Sequence, residues 1–168
     1  MLPDFVTYAI AIGMGATAVM DGCGLIETRL LGLPARDYAM VGRWLGHMRG
    51  GRFRHDMIAR AAPIAGESMI GWTAHYATGI AFAAILLSFA GVGWALAPTL
   101  FPALAVGLAT VAAPFLILQP ALGAGIAASQ TPRPWSARLR SLGAHLSFGI
   151  GLYAAAKLLS LVGLIPTE

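Results

Sequence analysis

Four long apolar runs, separated by one polar segment and two short connections, set the outline of the chain. They extend from Phe5 to Ile26, from Glu67 to Phe89, from Thr99 to Ser129 and from Leu142 to Ile165. Each reaches the ~20 residues that an α-helix needs to cross a bilayer. The third contains Pro114 and Pro120. Each proline removes a backbone donor, so a kinked or broken helix is expected there, ending in the small-residue run 123–129. The polar segment, Leu33 to Ala65, has its own periodicity. Tyr38, Val41, Leu45 and Met48 recur at helical spacing, with Arg36, Arg43 and His47 off that stripe. Phe53, Met57 and Ala61 continue the pattern after the Gly50–Gly51 break. Two short amphipathic helices lying in the headgroup region, with their arginines turned outward, would satisfy it. Ala90 to Pro98 carries no charge, and Trp94 is placed as an interfacial anchor. Gln130 to Arg140 reads as a short basic loop. The pattern predicts an all-α integral membrane four-helix bundle, a single transmembrane domain over residues 1–168. An amphipathic interfacial segment would lie between spans one and two.

Composition agrees. Of 168 residues, 58% are hydrophobic and 11% charged, and the mean hydropathy is +0.75. A soluble domain carries roughly a quarter charged residues, so this chain lacks the polar surface to stay in water. Its 21 glycines suit close helix packing in lipid. A lone cysteine, Cys23, excludes an intrachain disulfide. The first run has no Lys or Arg ahead of it, hence no signal-peptide n-region, and reads as an uncleaved span. The fourth ends at Pro166 with almost no tail.

Charge position matters more than its total of +4. Seven of the eleven Lys and Arg fall between spans one and two, and three fall between spans three and four. The positive-inside rule then puts both basic connections in the cytoplasm and both termini outside. The pI of 9.8 needs no nucleic-acid partner. Anionic lipid headgroups suffice, met by Arg43, Arg49, Arg52, Arg54, Arg138 and Arg140.

The chemistry to explain lies within the apolar runs. From the ~1.5 Å helical rise, His75 stands about 12 Å past Glu67, His145 about 8 Å past Arg140, and Asp21 about 9 Å before Glu27. Gln119 is deeper. Every span would thus bring a polar side chain to the cytoplasmic half of one bundle. His75 shares a face with Ser68, Gly71, Thr78 and Gly79, and His145 with Ser141, Gly149 and Tyr153. Asp21 shares one with Gly13, Thr17 and Gly24. Small stripes of this kind face other helices, leaving Ile80, Leu86, Leu87, Leu158 and Leu159 for lipid. Ionisable groups at such depth are costly and mark ligand or proton sites by default. Interhelical glue worth ~1 kcal/mol is the alternative. His47-Met48 and His55-Asp56-Met57 have no metal-ligand spacing and read as a solvated, lipid-facing loop. Lys157 snorkels outward. No zinc-protease motif, phosphate loop or Ser-His-Asp order is present.

The stretches 13–21 (GMGATAVMD), 41–47 (VGRWLGH), 71–76 (GWTAHY), 114–123 (PFLILQPALG) and 145–153 (HLSFGIGLY) resemble a family of small four-span bacterial inner-membrane proteins, defined only as a domain of unknown function. The likeness covers nearly the whole chain. It implies a bacterial inner-membrane location and no particular chemistry.

Three functions follow as expectations. The leading one is a membrane protein that binds or moves an ion or small ligand at Asp21, Glu67, His75, Gln119 and His145. The second is a redox subunit in which His75 and His145 ligate a b-type haem or a metal ion. The third is a structural or accessory scaffold. A homo-oligomer or larger membrane complex is open as a partner. The small extramembrane portion favours neither a receptor nor a soluble-type enzyme.

Overall fold

The computed structural model describes residues 2–162, of which 77% are helical and none lies in a strand. The α-helices are α1 (Leu2–Leu31), α2 (Tyr38–Met48), α3 (Glu67–Ala90), α4 (Leu100–Ala109), α5 (Gln119–Leu122) and α6 (Pro134–Leu161). Four stretches are long and apolar enough to cross a bilayer: Asp4–Leu31, Glu67–Ala90, Leu100–Leu122 and Pro134–Leu161. The all-α reading and the four apolar helices therefore hold. The expected end of the fourth span, residues 163–165, and Pro166 lie outside the described residues.

The third stretch breaks where its prolines predict. After α4 the chain turns at Thr110, then widens into a π-helical turn over Pro114–Leu118 before α5. A proline N–H is missing at both ends of this segment, so the regular i→i−4 ladder cannot run through it. The helix stops at Leu122, seven residues short of the expected Ser129. Gly123 (φ +93°) closes it in the left-handed conformation, with Ala124 N–H donating to Gln119 O at 2.8 Å. The run 123–129 is apolar but turns back on itself. The fourth helix begins earlier than expected, at Pro134, because a proline at the first helical position loses no bond. Arg138 and Arg140 therefore lie on a helix, not in a loop.

The chain divides into two compact units. The first takes the chain up to Pro34, Tyr76–Thr110, and Ala144 onward. Its helices meet through small residues. A Cβ on Gly13 of α1 would stand 2.5 Å from Ile80 Cα on α3, and one on Gly107 of α4 would stand 2.5 Å from Gly149 Cα on α6. Ile12, Leu86, Leu87 and Leu152 are fully buried at its centre. This differs from the expected lipid-facing role of Leu86 and Leu87. The 3-10 turn Val92–Ala95 folds back beyond α3, so Trp94 and Ala95 join the same core instead of anchoring at an interface. Leu158, by contrast, is exposed as expected.

The second unit comprises Ala35–His75 and Val111–Gly143. Asp37 caps α2, its Oδ1 accepting Ala39 N–H at 3.0 Å. Gly42 of α2 and Gly71 of α3 allow backbone contact: a Cβ on Gly42 would collide with Glu67 O, and one on Gly71 with Tyr38 O. The second amphipathic helix expected around Phe53–Ala61 is absent, and only a 3-10 turn, Ile58–Arg60, forms there. The Gly50–Gly51 turn reverses the chain, and the carbonyls that a helix would have used are taken by Arg43 instead.

Candidate functional site

The polar centre of the second unit is built on Arg43, midway along α2. Its guanidinium forks onto Glu67, the first residue of α3, with Nε to Oε2 at 2.9 Å and Nη2 to Oε1 at 2.7 Å. Its remaining nitrogen, Nη1, donates to the carbonyls of Ile58, Ala59 and Ala61 at 3.2–3.4 Å. Glu67 Oε2 also accepts Ile64 N–H at 3.0 Å. One arginine thus ties α2, the start of α3 and the strap between them, using the planar fork that lysine lacks. Trp44 fixes the strap's beginning by donating Nε1–H to Phe53 O at 2.8 Å.

Beneath this brace lie two histidines that the sequence places in a solvated loop. His55 is only 2% exposed. Its backbone N–H donates to Ala121 O at 2.9 Å, satisfying a carbonyl left open at the end of α5. Gly123 lets the two segments approach, since any Cβ there would collide with Asp56 O. The His55 ring meets His47 across the Gly50–Gly51 turn, with His55 Nε2 and His47 Nδ1 2.8 Å apart. His47 Nε2 lies 3.0 Å from Ala62 O.

Partner chemistry assigns the protons. A carbonyl only accepts, so His47 carries its hydrogen on Nε2 and its Nδ1 is a bare acceptor. His55 must then donate from Nε2. In the neutral pair this leaves His55 Nδ1 as a bare lone pair, buried and without a hydrogen-bond partner among the described residues. Burial holds the His55 pKa below the ordinary histidine value, helped by the Arg52 charge and by His47. The Ala121 backbone bond and Asp56 act in the opposite direction.

The residues expected to share one site each have their own partner. In the first unit Tyr76 hydrogen-bonds the half-buried Asp21. Thr110 Oγ1 donates to Gly107 O at 2.5 Å and stands 2.8 Å from Nδ1 of the buried His145. In the second unit His75 stacks on Tyr38, with ring centroids 4.1 Å apart, while Trp72 sits edge-on to it. Gln119 Nε2 donates to Ser141 Oγ at 3.2 Å, and Glu67 is held by Arg43. Among the described residues, no three of His, Cys, Asp and Glu gather as a metal centre requires.

The six arginines expected on headgroups also separate. Arg43 is spent on Glu67 and on backbone. Arg138 donates from Nε to Ala127 O at 2.8 Å and lies over the Trp135 ring. Arg49, Arg52 and Arg54 are exposed, and Arg140 is half-buried. Arg54 lines a cleft of about 310 Å³ with Leu116, Pro120, Gly125, Ile126, Ser129 and Gln130.

Sequence reading missed the partners Tyr38, Thr110 and Tyr76, and above all the histidine pair. The one available signal was the spacing of His47 and His55 on either side of a Gly-Gly turn.

These helices define an all-α protein with four segments suited to a multi-pass membrane topology. The chain belongs to the family described as Protein of unknown function (DUF2938), which matches over residues 10–159. All five stretches that carry the sequence resemblance fall inside that match. No curated protein and no solved structure matches the chain.

Proposed function

We propose that this chain is a multi-pass protein of the bacterial inner membrane that takes up and releases a proton at the His47–His55 pair. That exchange serves the binding or movement of an ion or small ligand at polar side chains within its spans. The observation that carries the reading is the buried, bare Nδ1 of His55.

A proton arriving at the pair has one unengaged lone pair to occupy, His55 Nδ1. The resulting charge does not stay there. If His55 passes its Nε2 proton to His47 Nδ1, it becomes neutral again in the opposite tautomer, and His47 carries the charge. His47 is half-exposed, already points its Nε2–H at Ala62 O and lies within electrostatic reach of Glu67. The proton is held on the buried side and the charge near solvent, which suits a group that must load and unload near neutral pH.

The polar groups inside the spans are the candidates for the coupled ligand. Asp21 and His145 meet the hydroxyls of Tyr76 and Thr110. The Tyr76 hydroxyl can donate or accept, and that of Thr110, its proton given to Gly107 O, accepts an Nδ1–H that His145 can carry whether neutral or charged, so these partners tolerate a change of protonation state. His75, Gln119 and Glu67 stay in the proposal as ligand-facing or positioning groups. The positive-inside rule supports placing both arginine-rich connections in the cytoplasm, with the start of α1 and the end of α6 on the periplasmic side.

The test is a ¹⁵N NMR titration of histidine-labelled protein in detergent, beside His47→Gln. The reading expects His55 as the Nε2–H tautomer at pH 8, titrating below an ordinary histidine and coupled to His47. An Nδ1–H tautomer at pH 8, or a His55 titration indifferent to His47→Gln, would rule the reading out.

A further inference from the structure

The cleft beside the broken end of the third span makes no contribution to the histidine pair, yet it has the composition of a binding site. Its polar lining is Arg54, Ser129 and Gln130. Among the described residues these three side chains make no hydrogen bond or ion pair, unlike Arg43 and Arg138 nearby in the chain's basic segments. A guanidinium, a hydroxyl and an amide are all able to donate to phosphate oxygens.

The rest of the lining is apolar: Leu116 and Ile126, both 62% exposed, are joined there by Pro120 and Gly125. Leu116 and Pro120 belong to the membrane-suited stretch Leu100–Leu122, whereas Ile126 lies with Arg54, Ser129 and Gln130 outside all four such stretches. The cleft therefore straddles the boundary between chain suited to hydrocarbon and chain suited to headgroups. Gly125 keeps it open. With φ +74°, it turns the backbone as glycine does readily, and a Cβ there would run into Ser129 Oγ and Gln130 Cγ. At about 310 Å³ the space is at the small end of ligand pockets, enough for a headgroup but not for acyl chains.

We propose that this cleft holds one anionic phospholipid, its phosphate on Arg54, Ser129 and Gln130 and the first carbons of its chains against Leu116 and Ile126. A free phosphate would gain nothing from the apolar wall, and a zwitterionic lipid would bring a second cation toward Arg54. The proposal rests on the membrane reading but not on proton exchange, so the two fail separately.

Native mass spectrometry in neutral detergent tests it, titrating phosphatidylglycerol, phosphatidylcholine with the same chains, and inorganic phosphate. Wild type is expected to retain one phosphatidylglycerol at least tenfold more tightly than phosphatidylcholine, with no retention of phosphate. Arg54→Gln and Ser129→Leu, each checked for an unchanged melting temperature, should remove that preference. Arg49→Gln, which alters an exposed arginine outside the cleft, and His55→Gln should keep it. Equal weakening by Arg49→Gln and Arg54→Gln would reduce the effect to general surface charge and overturn the site. Binding of inorganic phosphate as tight as that of lipid would overturn the lipid assignment.

Discussion

At the scale of single residues, His55 gives up water for one imidazole and one backbone bond. Its pKa is lowered in the folded protein, so between that value and ~6.5 the unfolded chain binds more protons than the native one. The stability tied to His55 is then fully present above the ordinary histidine value and is lost as pH falls below it. Thermal melts should show wild type losing more between pH 7.5 and pH 5.5 than His55→Gln. That variant places an amide donor where Nε2 stood, facing His47, but cannot titrate. Equal losses in the two proteins would mean that His55 is not held neutral by the fold. Arg43 makes a separate prediction. Arg43→Lys keeps the charge but not the fork, and should open the strap 52–66 to proteolysis nearly as much as Arg43→Gln does.

Among the elements, the close crossing of α2 on α3 at Gly42 and Gly71 is the most exacting contact in the second unit. Gly42→Ala or Gly71→Ala forces a methyl group into a backbone carbonyl and should cost about 1–3 kcal/mol, read as a lower melting temperature. Alanine at Gly143, inside α6 where a Cβ meets nothing, should leave the melting temperature unchanged or raise it. The helices themselves were legible in the sequence because an apolar run of membrane length has few other solutions, and the break in the third because proline has no N–H. Its end at Leu122 was not legible. Hydropathy registers the run 123–129 as apolar and cannot register positive φ at Gly123, Gly125, Ala127 and Ala128, which turns it away from a helix. The strap misled for a related reason: Phe53, Met57 and Ala61 keep a helical spacing, but Arg43 and Ala121 claim its backbone groups from elsewhere in the chain.

For the whole molecule, the proposed topology predicts that Gly50 faces the cytoplasm and Gly91 the periplasm. Cysteines placed singly at these positions in a Cys23→Ala background should be labelled from opposite sides of intact cells, and labelling from one side would refute the orientation. Asp21, His75 and His145 could be picked out because a titratable residue stands out in an apolar run. Depth along separate helices does not determine contacts, however, and each proved to have a nearby hydroxyl or aromatic partner. The histidine pair was hidden because the helical spacing of Phe53, Met57 and Ala61 points to a helix, whereas His55 sits on a non-α-helical strap that turns back onto His47. Whether that pair serves proton exchange is tested most directly in liposomes loaded with a pH-sensitive dye, with the membrane potential clamped by potassium and valinomycin. An imposed pH gradient should collapse faster with wild type than in protein-free liposomes, and at least tenfold more slowly with His55→Gln of matched melting temperature at pH 7.5 than with wild type. Equal rates for wild type and His55→Gln would contradict the proposal.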